Sequence, residues 1–97
     1  MQIGIDVGAT KIESVVLEDN GSEQHRSRTP CPKEYDQIIK TVKEINDGLE
    51  KTFNKTLPIG VCHPGIHSPQ TGLVKNAPNC FWLEKKPFQH DLRKLLN

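Results

Sequence analysis

The chain has 97 residues, 34% of them hydrophobic and 26% charged, with a formal net charge of +1. That near-neutral balance gives no electrostatic case for nucleic acid or an anionic membrane surface as a partner. No apolar run is long enough to span a bilayer and no basic-then-apolar leader opens the sequence, so a cytoplasmic protein is expected.

The first segment is the most informative. Ile3-Gly4-Ile5-Asp6-Val7 runs into Gly8-Ala9-Thr10-Lys11 and out again into Ile12-Glu13-Ser14-Val15-Val16-Leu17. Two apolar runs joined by a tight turn predict a β-hairpin, with strands over Gln2–Val7 and Lys11–Glu18. The turn combines a carboxylate, backbone N–H groups uncrowded at Gly8 and Ala9, a hydroxyl and an ammonium. Those parts can hold a phosphate and its metal ion: amides and Lys11 for the oxygens, Thr10 as a donor, Asp6 for Mg²⁺ through water. The same residues also serve a plain hairpin turn, with Gly8 permitting it and Asp6 capping it.

Asp19-Asn20-Gly21 then signals a second turn and a third antiparallel strand near Ser22–Thr29. This strand is polar, and Arg26 and Arg28 suit a sheet edge that must not pair further. Pro30-Cys31-Pro32 breaks the pattern. Tyr35, Ile38, Ile39, Val42, Ile45, Leu49 and Phe53 recur at steps of three and four, which predicts a helix packed on the sheet, weakened at Gly48. The next strand, from Thr56 or Leu57 to Cys62, is expected parallel beside the first, because a helix between parallel strands makes a right-handed crossover. Pro64-Gly65 closes it at the carboxyl edge, where open α/β sheets bind ligands. Leu73–Asn76 reads as a short extra strand, and Phe88, Leu92, Leu95 and Leu96 mark a final helix beginning near Pro87.

Cys31, Cys62 and Cys80 are odd in number and lack CxxC spacing, so they imply neither a disulfide framework nor a zinc ribbon. Cys62, His63, His67 and Cys80 could be gathered into a four-ligand set, but Pro64 and Gly65 interrupt the histidine pair. Loop and core roles are the preferred reading.

The run Asp6-Val7-Gly8-Ala9-Thr10-Lys11-Ile12-Glu13 resembles the first phosphate-binding motif of the actin-like ATPase superfamily, and within it the ROK sugar kinases and repressors. A second stretch is similar to the same family's Gly-x-x-x-Pro-Gly and Thr-Gly-x-x-x-Asn-Ala segments: Gly60 to Gly65, then Thr71 to Ala77. Trp82-Leu83 and Pro87-Phe88-x-x-Asp91-Leu92 continue the likeness, most closely to manno- and fructokinase-type members. The resemblance covers essentially the whole chain. It implies an α/β, ribonuclease-H-like mixed sheet in β-β-β-α-β-α order, ending before a fifth strand. It also implies an ATP- and Mg²⁺-dependent hexose kinase acting on fructose, mannose, glucose or N-acetylglucosamine. Asp6, Gly8, Ala9, Thr10 and Lys11 would then hold the cofactor, and Gly65, Asn76 and Asn79 the sugar. His63 departs from the small or aliphatic residue common before Pro-Gly, and Ala9 replaces a second glycine. The family's catalytic Asp, its zinc motif and its adenosine-binding residues would all lie beyond Asn97. The chain is thus expected to be an incomplete N-terminal lobe, inactive alone and prone to homo-oligomerise through its uncovered edge.

Two other functional classes stay open. A sugar-responsive ROK regulator would carry a DNA-binding domain ahead of the hairpin, whereas Met1 here stands directly against the first strand. A non-catalytic interaction module would tolerate erosion of the turn, whereas Asp6, Gly8 and Thr10 are all present.

Overall fold

Three strands, a helix and a fourth strand generate the framework. In the computed structural model, which describes residues 1–96, β1 spans Gln2–Val7, β2 Lys11–Leu17 and β3 Glu23–Pro30. Helix α1 covers Tyr35–Phe53, β4 Ile59–Cys62, and two-residue strands β5 and β6 cover Ile66–His67 and Val74–Lys75. Helix α2 closes the described chain at Phe88–Leu96. The main sheet has the order β3-β2-β1-β4. β1 pairs antiparallel with β2 and parallel with β4, in the register Ile3↔Ile59, Gly4↔Gly60, Ile5↔Val61 and Asp6↔Cys62. This is the expected mixed ribonuclease-H-like sheet with β1 inside it.

Strict alternation sorts the two faces. Ile3, Ile5 and Val7 of β1 and Ile12, Ser14 and Val16 of β2 are buried, and their apolar members join one core with Ile38, Val42 and Leu49 of α1 and Phe88 and Leu92 of α2. Both helices therefore cover a single face. Between them the Tyr35 hydroxyl donates to an Asp91 carboxylate oxygen at 2.6 Å. A shallow depression of about 550 Å³ elsewhere on the sheet is bordered by Gly4, Asp6, Glu13, Val15, Gly60 and Cys62.

Helix α1 runs unbroken through Gly48, which is exposed and contacts nothing that a side chain would meet. Asn46 takes one of the buried stripe positions and donates to Glu50 at 3.4 Å. The helix stops at Asn54, in left-handed conformation at φ 55°, where its own N–H and that of Lys55 satisfy the last carbonyls of the helix. Strand β4 begins later than expected, at Ile59. Leu57 spends its N–H on the Glu50 carboxylate (3.0 Å) and Pro58 has none to give. The short strand expected near Leu73 has a partner that sequence reading does not supply: β5 pairs with β6 through Ile66↔Lys75 and His67↔Val74.

Candidate functional site

The turn after β1 is held by backbone. The Gly8 N–H donates to the Lys11 carbonyl at 2.8 Å, and a Cβ on Gly8 would lie 2.9 Å from that same oxygen. Glycine is thus required by the closeness of the two chains. The Thr10 carbonyl accepts from Cys31 N–H at 2.9 Å, which ties the end of β3 to the turn. Ala9 packs against the core while Asp6, Thr10 and Lys11 are exposed. Among the described residues neither Asp6 nor Lys11 enters an ion pair. The turn therefore presents a free carboxylate, a hydroxyl and an ammonium on a fixed backbone, a donor set that fits a hydrated Mg²⁺ and its phosphate oxygens.

Across β2 the register sets Glu13 opposite Asp6 and Arg28 opposite Glu13. Arg26 and Arg28 both pair with Glu13, Arg28 at 3.4 Å, and Arg26 also holds Glu23 at 2.8 Å. Sequence reading assigns these arginines to the defence of a sheet edge. Their i, i+2 spacing opposite an acidic position on an antiparallel strand is the signal for the ion-pair cluster. Its effect is to neutralise the carboxylate that stands opposite Asp6 in the sheet.

The sugar candidates lie on the loop that leaves β4. Gly65 has φ 77°, and a Cβ there would sit 2.5 Å from the Lys75 carbonyl and 3.2 Å from Ala77 N. Asn76 is itself left-handed at φ 60°. Gly65 is therefore brought against the backbone on either side of Asn76, and both residues are exposed, as is Asn79. The intervening turn is closed by buried Ser68, whose N–H donates to Leu73 O (2.9 Å) while its carbonyl accepts from Gly72 N (2.8 Å). Residues 77–86 coil back through successive bonds, Cys80 N to Ala77 O, Leu83 N to Cys80 O and Lys86 N to Leu83 O. Cys80 and Leu83 are buried in the core and Phe81 is 73% exposed.

The cysteines and histidines do not converge on a metal. Cys80 is fully buried, and burial first, then neighbouring Cys31, pushes its thiol up to about 11. A thiol held neutral in this way is a poor ligand. Cys62 is exposed, and the His63 ring is engaged with the Pro64 carbonyl (2.7 Å) and edge-on to Phe88. Among the described residues no group of three or more His, Cys, Asp or Glu side chains is gathered to hold an ion.

The two loops and the sheet match a known family. A model of the ROK family matches residues 2–97. The chain belongs to the ROK family. The N-acetyl-D-glucosamine kinase of Pasteurella multocida is 31% identical over 97 residues, which are 99% of this chain and 32% of that kinase. Among solved structures, the ROK hexokinase of Thermus thermophilus superposes with a TM-score of 0.79 at 22% identity, over 98% of this chain and 32% of that one. A ROK family glucokinase of Streptomyces griseus, solved with glucose and AMPPNP, does so with 0.78 at 21% identity, over 96% and 29%. These two likenesses establish the shared ROK fold. This ROK chain spans about a third of the length of the curated relatives it matches.

Proposed function

We propose that the chain is the N-terminal, phosphate-binding part of an ATP-dependent hexose kinase and has no turnover by itself. One observation carries this reading. β1 and β4 run parallel in register, so the Gly8–Lys11 turn and the Pro64-Gly65 loop leave the sheet at the same carboxyl edge. One edge thus offers a phosphate- and Mg²⁺-binding turn beside a loop of exposed amide groups, and open α/β sheets take ligands at that edge.

Within this reading Asp6 would hold the Mg²⁺ through water, Thr10 and the Ala9 amide would donate to phosphate oxygens, and Lys11 would neutralise charge. The Gly8 N–H, expected as a phosphate donor, is instead spent on the Lys11 carbonyl and keeps the turn closed. The bound metal supplies charge neutralisation at the transferring phosphoryl group. Gly65 brings its backbone against a sugar hydroxyl, and the carboxamides of Asn76 and Asn79 donate and accept in pairs, which suits a neutral polyol. The expected hexoses are fructose, mannose, glucose and N-acetylglucosamine. The last is favoured because the Pasteurella multocida and Haemophilus influenzae relatives are N-acetyl-D-glucosamine kinases.

Two titrations of the ¹⁵N-labelled chain test the assignment. Mg²⁺ with tripolyphosphate should shift the amides of residues 6–11, and N-acetyl-D-glucosamine those of 63–79, each at millimolar concentration. Shifts scattered over both helices, or none at either loop, would refute it.

A further inference from the structure

We propose that Glu84 is a positioning residue for the hexose loop, a role that presupposes the hexose reading of that loop. The Glu84 carboxylate accepts the Ala77 N–H at 2.9 Å across seven residues, in a partly buried setting. The peptide it grips is the one that follows Asn76, and its nitrogen is the atom closest to a Cβ on Gly65 after the Lys75 carbonyl and the Ala77 methyl. Four left-handed residues belong to this region: Gly65 at φ 77°, Gly72 at φ 75°, Asn76 at φ 60° and Lys85 at φ 61°. Asparagine tolerates that conformation but does not require it, so the 76–77 peptide needs an outside constraint to stay in one orientation.

Glu84 supplies the constraint from a rigid base. Lys85 N–H donates to Val74 O at 2.7 Å and Val74 N–H to Lys86 O at 3.0 Å, which sews residues 84–86 onto β6. Glu84 N–H in turn donates to Phe81 O at 3.1 Å. The residue is thereby fixed on both sides, and its charge-assisted bond is stronger than a neutral one. Turning the 76–77 peptide over would strand the Ala77 N–H and remove that nitrogen from its place beside Gly65. Glu84 itself makes no contact with the sugar in this arrangement. It acts by holding Asn76 and Gly65 as a pair.

The test compares Glu84→Ala, Glu84→Gln and the parent chain in two titrations, N-acetyl-D-glucosamine and Mg²⁺ with tripolyphosphate, read by amide shifts. Glu84→Ala should weaken the sugar about tenfold and leave the phosphate ligand unchanged, while Glu84→Gln, which keeps an acceptor oxygen, stays within about threefold of the parent. Equal loss for both ligands would reduce Glu84 to a general stabiliser and overturn the proposal, as would an unaltered sugar affinity in Glu84→Ala. Absence of sugar shifts in the parent chain would refute the hexose reading and this role with it.

Discussion

Asp6 and Cys62 stand side by side in parallel register, each the penultimate or last residue of its strand. From that pairing the turn after Val7 and the loop after Cys62 emerge together. Neither strand pattern alone contains this fact. It arises because α1 carries the chain back over the sheet to run β4 in the same direction as β1.

Among the described residues Asp6 is the only carboxylate at the turn, and its cross-strand neighbour Glu13 is already taken by Arg26 and Arg28. Asp6→Asn keeps the size and removes the charge. Tripolyphosphate affinity measured with Mg²⁺ should fall about tenfold, to the level seen without the metal, while metal-free affinity stays the same. A variant that still gains from Mg²⁺ would contradict the assignment.

The glycines separate into two kinds. At Gly65 a Cβ meets backbone at 2.5 Å in a left-handed residue, so Gly65→Ala should destabilise the chain by about 2–4 kcal/mol. Gly60 lies in a strand with open space where a side chain would stand, so Gly60→Val should be neutral or stabilising by up to ~1 kcal/mol. Denaturant midpoints would check both. Equal effects would contradict the two reasons given.

Much of this architecture is legible in the sequence, and the reason is local. The β1–β2 hairpin, the α1 stripe and the β4 crossover each follow from periodicity and turn residues within a short window. Sequence reading makes Gly65 a ligand contact, yet its φ and its proximity to residues 75–77 already demand glycine. The partner strand β5 and the Glu84–Ala77 bond are not legible, and the spacing of Arg26 and Arg28 becomes a signal for their pairing with Glu13 only once the β2–β3 register is known. Each joins residues whose neighbourhood is set by the fold: a two-residue strand has no period, and the reach of Glu84 depends on the coil of residues 77–86.

Alkali should unfold the chain through its core thiols. Burial raises the Cys31 thiol, and Cys80 keeps its proton to about 11 against an ordinary 9.0. Below that ordinary value both states hold the proton and the contribution is complete. Between about 9 and 11 the folded chain binds more protons than the unfolded one, so stability falls as pH rises. Tyr35 adds to the same trend, because burial and then Asp91 raise its hydroxyl. Tm should drop across this window, less steeply in Cys80→Ala. An unchanged slope in that variant would count against a neutral core thiol.

Strand β4 pairs only with β1 among the described residues, and beside it lies a groove of about 400 Å³ lined by Leu57, Ile59, Val61, Phe88, Leu92 and Leu96. Open edges with apolar borders associate. Light scattering should show a mass above 10.9 kDa that rises with concentration, and Val61→Lys should restore the monomer. A monomer at high concentration without that change would exclude the edge as a self-association surface.

The most direct measurement is a coupled ADP-release assay with fructose, mannose, glucose and N-acetylglucosamine. It is run on this chain and on a graft in which the chain replaces the matched third of the Pasteurella multocida kinase. Phosphoryl transfer depends on holding both reactants together, so half a cleft loses most of the proximity advantage. The chain alone should be silent, and the graft should turn over N-acetylglucosamine and lose that turnover in Asp6→Ala. Turnover by the 97-residue chain alone that Asp6→Ala abolishes, or a folded graft silent on all four hexoses, would contradict the account.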